Sequence, residues 1–463
     1  MLSLQTSDAT FCDGMTRREM LRVGGLGALF ACAQPSLFSW LGTNPLLAAT
    51  TGPNRFGQAK SVILVTLYGG PPQTETFDMK PTAPVEARGP FKPIQTNVVD
   101  LHICEHLPRL AQMADRYTIV RSFSHKNTAH ATGLYTFLTG WPHPIPNQNS
   151  PASPDDYPHF GSLVSKLAPP REGLPASTIL GGKILPQFNG IGQRGGLLGD
   201  SHDPVVVDRN PSGLLTLQDG IPVVRMDKRR RLLDQLQAVR PQLDQHGATF
   251  GFSAAQEQAF RLLESDRFMS AFDLDAEPGE VRDRYGRSKV GENILLARRL
   301  VEAGVPVIQV SDIPKGGEQH WDLHYSNIFS SLQNKLLPNL DKGVSALLTD
   351  LDQRGLLDET LVVVGGEFGR TPWMDHGTNP PQGGRQHWPF CYSMLFAGGG
   401  IRRGEVFGKS DEIAAYPMAQ KVAPWDFAAT LLHLMGIDPT TKVKSRQGEM
   451  FPICRGHVIR GII

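Results

Sequence analysis

The chain has 463 residues, of which 40% are hydrophobic and 20% charged, and its formal net charge is +1. Such a length supplies a large core. The near-neutral charge argues against nucleic acid as the main partner, because phosphate binding needs a basic surplus, and the 48 glycines and 36 prolines, spread along the chain, read as ordered loops rather than disorder.

The first 50 residues stand apart. Arg17, Arg18 and Arg22 precede an uncharged stretch, 23–40, whose most apolar part, 23–33, is too short to span a bilayer. Thr16-Arg17-Arg18-Glu19-Met20-Leu21 looks like a twin-arginine signal, which is read by the export machinery and does not act as an anchor. Ala31-Cys32-Ala33 and Leu47-Ala48-Ala49 offer small-residue cleavage sites. Residues 1–50 therefore read as signal peptide and linker, and the mature protein as periplasmic or otherwise extracytoplasmic. The bland alternative is a buried Gly/Ala-rich helix with chance arginines. Cys104, Cys391 and Cys454 would remain, too widely spaced and too few for a disulfide scaffold. No later segment is long and apolar enough to cross a membrane.

Beyond the leader, 61–67 is a continuous apolar run closed by Gly69-Gly70-Pro71-Pro72, the pattern of a fully buried strand. Similar runs follow at 117–121, 205–207, 305–310, 361–364 and 392–396. Helical patterns lie between them. At 106–115, Leu107, Leu110 and Met113 share a face. A second pattern starts after Gly291 and stops at Gly304. A third, 329–355, is broken at Pro338 and capped by Gly355, and a fourth ends at Gly436. Strands alternating with helices give an α/β fold, a mostly parallel sheet covered by helices on both faces. The polar stretch 225–287 reads as a helical insertion over one edge, with a solvated face as its bland explanation.

In such folds the loops at the carboxyl ends of strands carry the chemistry. After the first strand come Gln73, Glu75 and Asp78. After the second come Ser124, His125, Lys126, His130 and Thr132. After the run ending at Val310 come Asp312, His320, Asp322 and His324. After Val364 come Glu367, Arg370 and His387. A lone His there is most often a satisfied loop residue, but four strand ends deliver His and carboxylates to one rim. Those are ligand types for divalent ions, and Arg370 and Lys126 suit an anionic group.

Several stretches resemble one family: "GGPPQTETFDMKP" (69–81), "EHLPRLAQMADRYTIVRSFSH" (105–125), "WDLH" (321–324), "DETLVVVGGEFGRTP" (358–372), "GGRQHWPF" (383–390) and "AGGGIRRGEVFGKSD" (397–411). It is the sulfatase-like domain-of-unknown-function family fifteen-oh-one, and the match runs in order from about residue 55 to 435. The resemblance implies an alkaline phosphatase-like domain over 55–463. It also implies hydrolysis of phosphate or sulfate esters with one or two divalent metals and a Thr, Ser or formylglycine nucleophile. The residues depart from that pattern in places. The position of the ligand Asp ending the first strand is Tyr68 or Gly69, so that ligand is missing or displaced to Glu75 or Asp78. Counting ten back from Gly140 of Thr139-Gly140 puts His130 where the nucleophile belongs, with Thr128 and Thr132 nearby. No sulfatase Cys-x-Pro-x-Arg or Ser-x-Pro-x-Arg signature exists. Glu367 stands where an Asp ligand is usual, Gln386 stands where an Asp precedes His387, and Asp375-His376-Gly377 reads as a decoy.

These readings make Asp78, Asp322, His324, Glu367 and His387 candidate metal ligands, and His130, Thr132 and Arg370 candidate catalytic groups. The expected cofactor is zinc, with manganese or calcium as alternatives. The expected partner is an anionic small-molecule or glycan ester. A non-catalytic ligand- or glycan-binding protein on a degenerate hydrolase fold is the competing reading.

Overall fold

The computed structural model describes residues 55–170, 173–208, 265–313, 320–324, 328–374 and 384–463. All belong to one compact unit, Asn54–Ile463. The export signal, most of the insertion expected at 225–287 and the Asp375-His376-Gly377 triplet lie outside the described residues.

The central sheet has eight strands: β1 Ser61–Leu67, β2 Tyr117–Phe123, β3 Ser177–Leu180, β4 Val205–Val207, β5 Val307–Asp312, β6 Thr360–Gly365, β7 Tyr392–Ala397 and β8 Glu405–Phe407. Across the sheet the order is β8-β2-β7-β6-β1-β5-β3-β4. Every pairing is parallel except those of β7, which runs antiparallel to both β2 and β6. Alternation along β1 sends Ile63, Val65 and Leu67 into one core cluster and Val62 and Leu64 into the other. The same holds for Val362 and Val364 against Leu361 and Val363 on β6. Burial on both faces is why these strands read as continuous apolar runs.

The longer helices are α1 His130–Thr139, α2 Phe160–Leu167, α3 Lys289–Ala303, α4 Leu337–Gln353 and α5 Pro424–Leu434. One face of the sheet is covered by α3 and α4, through Ile294, Leu300, Leu340 and Val344. The other is covered by α1, α2 and α5, through Leu134, Phe137, Leu163 and Phe427. Ser288 caps α3 by accepting from the Gly291 N–H, and Gly304 closes it in the left-handed region. The break expected at Pro338 takes the form of a change of helix type just before it. A π turn, Leu332–Leu336, runs straight into α4, and Pro338 lies in the first turn of α4 beside that wider turn. The helix expected at 106–115 is two short pieces, Pro108–Ala111 and Ala114–Arg116. Among the described residues no helix is long and apolar enough to cross a membrane.

This topology decides which residues meet. Strands β1, β2, β5 and β6 run the same way, so their carboxyl ends share one edge. Antiparallel β7 begins at that edge, which brings the segment before it, with His387, to the same place.

Candidate metal centre

At that edge His130, Asp322, His324 and His387 bring their ligand atoms within 4.8 Å of one another. His130 opens α1, Asp322 and His324 follow β5, and His387 precedes β7. The two residues two apart in sequence both serve the cluster, as an extended segment allows. Asp322 Oδ2 lies 3.1 Å from His130 Nε2, while Oδ1 lies 2.8 Å from His324 Nε2 and 3.1 Å from His387 Nε2. The last two nitrogens are 2.9 Å apart.

Each imidazole is oriented from behind. Nδ1 of His130 faces Glu367 Oε1 at 2.8 Å, Nδ1 of His324 faces Gln386 Oε1 at 2.7 Å, and Nδ1 of His387 faces the Thr128 carbonyl at 2.6 Å. All three partners are oxygens that accept, so each ring, when neutral, carries its proton on Nδ1 and turns its Nε2 lone pair inward. Lone pairs 2.9 Å apart, beside a carboxylate, repel unless a cation lies between them. A tetrahedral ion with bonds near 2 Å sets its donors about 3.3 Å apart, close to the spacing found. Three imidazoles and one carboxylate suit zinc, or manganese with added oxygens. They do not suit calcium, one of the expected alternatives, which takes oxygen ligands.

A proton competes with a cation for these nitrogens. Burial works against charge on His130, yet the Asp322 and Glu367 carboxylates lift its imidazole to about 9. Burial also opposes ionisation of Asp322, but hydrogen bonds from His130, His324 and His387 hold its carboxyl well below the usual range. Burial pushes His387 below its ordinary value, against the pull of Asp322.

Glu367 does not face the cluster centre. It is fully buried, accepts from the Gly69 N–H at 3.0 Å and holds His130 Nδ1. It therefore stands one shell behind the place expected of it, in the carboxylate–histidine–metal arrangement that fixes ring and tautomer. Arg370 is corrected too. Its guanidinium is buried and donates to Asp322 Oδ1 at 2.7 Å, to the carbonyls of Trp321 (3.0 Å), Arg385 (2.9 Å) and Gly70 (3.1 Å), and to that of Gly69. With every arm engaged, it positions Asp322 and is not a clamp for an incoming anion. Thr132 is wholly buried with its hydroxyl donating to the Ala129 carbonyl, and His130 turns Nδ1 to Glu367 and Nε2 into the cluster beside Asp322, so neither is displayed as a nucleophile. Asp78 serves another place: Lys80 at 2.9 Å, Arg121 and Ser410 take its carboxylate. His125 does lie close, with Nε2 2.6 Å from the Glu367 carbonyl, and burial drives its imidazole down to about 4.

Four contributors escaped the sequence reading. Gly69 has φ of 113°, and a Cβ there would lie 2.2 Å from the Asp322 nitrogen, so only glycine lets the two loops touch. Trp321 donates from Nε1 to Asp312 Oδ2 at 2.8 Å, while His320 Nε2 donates to Oδ1 at 2.6 Å, which anchors the loop bearing Asp322. The Thr128 carbonyl and Gln386 have only their nearness to His130 and His387 as a sequence signal.

Among solved structures, the chain is similar to Ps i-CgsB in complex with k-i-k-neocarrahexaose (TM-score 0.38, 14% identity, 82% of this chain and 73% of that one). It is also similar to the lipoteichoic acid synthase LtaP from Listeria monocytogenes (TM-score 0.37, 11% identity, 89% and 78%). A third is an alkaline phosphatase superfamily protein from Vibrio parahaemolyticus (TM-score 0.34, 13% identity, 84% and 73%). No curated protein matches it. The model of one family, described as a protein of unknown function (DUF1501), matches residues 59–463, and the chain belongs to that family.

Proposed function

We propose that the protein is an exported hydrolase of anionic sulfate or phosphate esters that uses one divalent cation held by His130, Asp322, His324 and His387. The observation that carries the reading is the convergence of three inward Nε2 lone pairs on one carboxylate. A divalent ion there would supply Lewis acidity toward an ester oxygen. With the ion bound, its charge and that of Arg370 outweigh Asp322 and Glu367, and the three neutral imidazoles add none. The net positive field favours an anionic group. The Asp322 side chain is 33% exposed and those of the three histidines 13–20%, so an ester reaches the centre from solvent. Glu367 keeps the His130 Nδ1 proton in place, and Arg370 keeps Asp322 aimed.

Elemental analysis of purified protein, paired with turnover of aryl sulfate and phosphate esters, tests this. About one ion per chain, lost in Asp322→Ala together with turnover, is the expected result. Metal-free protein sinks the reading. Tight metal and anion binding with no turnover supports the second reading, a non-catalytic binding protein, which gains from the engaged state of Thr132 and His130. Export by the twin-arginine route is supported by Arg17-Arg18 ahead of a short apolar run. Replacing both with Lys should strand the precursor in the cytoplasm, and normal processing of that variant overturns the route.

A further inference from the structure

We propose that a groove beside the centre receives the uncharged part of the substrate and that this part is a flat apolar ring. The proposal rests on the reading of the centre as a site for anionic esters. The groove has a volume of about 540 Å³ and, among the described residues, its apolar walls are Pro372, Trp373, Met374, Trp388, Ile413 and Tyr416. That volume suits a small ligand. Trp373 and Tyr416 are 45% and 51% exposed, so broad ring faces stand open to water. Trp388 lies 5.6 Å from Tyr416, centroid to centroid, at 66°.

Two connections tie the groove to the centre. Trp388 directly follows His387 in a two-residue ladder with Gly369–Arg370, so a candidate ligand and a groove wall are neighbours on one strand. Gln386 lines the groove and also holds His324 Nδ1.

The polar groups decide what fits. No charged side chain lines the groove among the described residues, and the Thr371 hydroxyl, the Gln386 side-chain oxygen and the Trp388 indole nitrogen are already engaged. Thr371 Oγ1 donates to the Trp373 carbonyl and accepts from the Gln386 N–H. Gln386 Oε1 faces His324, and Trp388 Nε1 donates to the Ala415 carbonyl. Sugar hydroxyls entering here would leave water and find few partners, which is costly. An aromatic ring gives up no such bonds and gains stacking on Trp373 and Tyr416.

Calorimetric titration of the full chain with 2-naphthol, and in parallel with methyl glucoside, tests the groove apart from any hydrolysis. Naphthol should bind saturably and methyl glucoside should give no heat. Trp373→Ala and Tyr416→Ala, both at the surface, should each weaken naphthol binding roughly twofold to tenfold with the melting temperature unchanged. Undiminished binding in both variants, or glucoside binding as tight as naphthol, overturns the proposal. Turnover of naphthyl sulfate and naphthyl phosphate separates the two ideas. Naphthol binding without turnover keeps the groove and removes the hydrolase, and turnover without naphthol binding does the reverse.

Discussion

Two buried polar clusters in this protein look alike in composition and differ in balance. On the α3 face, Arg298 is 1% exposed and lies 2.7 Å from Glu277, 2.7 Å from Glu302 and 3.6 Å from Asp350. Arg299 joins Glu277, and the Tyr285 hydroxyl donates to Asp350. Burial opposes charge on Glu277, but both guanidiniums hold its carboxyl below the usual range. Guanidinium charges there answer carboxylates. At the sheet edge three imidazole nitrogens and a carboxylate face inward, all acceptors when the rings are neutral, and among the described residues Arg370 is the buried guanidinium turned on Asp322. A closed network is structure, whereas an excess of convergent acceptors calls for a cation from outside. His159 marks the midpoint. It is a fully buried imidazole whose Nδ1 accepts from the Gly161 N–H and whose Nε2 meets Gln309 Oε1 at 3.2 Å, satisfied with no ion at all.

The largest effect should come from breaking the closed network. Arg298→Ala leaves Glu277 and Asp350 without their shared partner and should cost about 3–5 kcal/mol in denaturant unfolding, while metal content stays as in the parent. Loss of metal along with stability would erase the distinction between the clusters.

Next in size is the response to pH. Burial depresses the His159 imidazole to about 4 from an unfolded value of 6.5, with Gln309 opposing, and His125 falls to about 4 as well. Between those values the unfolded chain binds the extra protons, so both contributions are complete above pH 6.5 and disappear as the pH falls toward 4. Each amounts to about 3 kcal/mol. Between pH 7 and 4, unfolding of His159→Gln should take up close to one proton fewer than unfolding of the parent. An unchanged slope in that variant would show that His159 is not held neutral by the fold.

The smallest effect sharpens the other cluster. In Glu367→Gln the oxygen that receives the His130 Nδ1 proton remains and the charge goes. Metal affinity measured against a competing chelator should fall roughly 10- to 100-fold, the usual cost of losing a carboxylate behind a ligating histidine. Equal affinity would make Glu367 a packing group for Gly69 alone.

Much of the fold was legible because strands buried on both faces cannot hide, and 61–67, 361–364 and 392–396 all announced themselves as unbroken apolar runs. Strand β3 was missed because its four residues sit between Pro175 and Gly181-Gly182, and β8 because Glu405 and Val406 are exposed at an edge. Helix α1 was missed because all but its first residue are buried, so no polar stripe marks a helical period. At the site, the strand-end rule found all four members of the cluster. It did not separate ligand from support, since whether Glu367 or Asp322 looks inward depends on which imidazole nitrogen each one meets. Asp78 obeyed the rule in sequence and failed it in space, because Lys80 and Arg121 draw its carboxylate away.

The antiparallel course of β7 also bears on how the molecule is made. His130 and Glu367 are 237 positions apart, and His387 is 65 positions from Asp322. Only Asp322 and His324 are near neighbours along the chain. Contacts over such separations form late, after long loops have closed. A nascent chain therefore has no competent chelating cluster until β2, β5, β6 and β7 are all in register. Metal uptake by the proposed centre would then act as a checkpoint on finished topology: a chain that held its ion would already have folded.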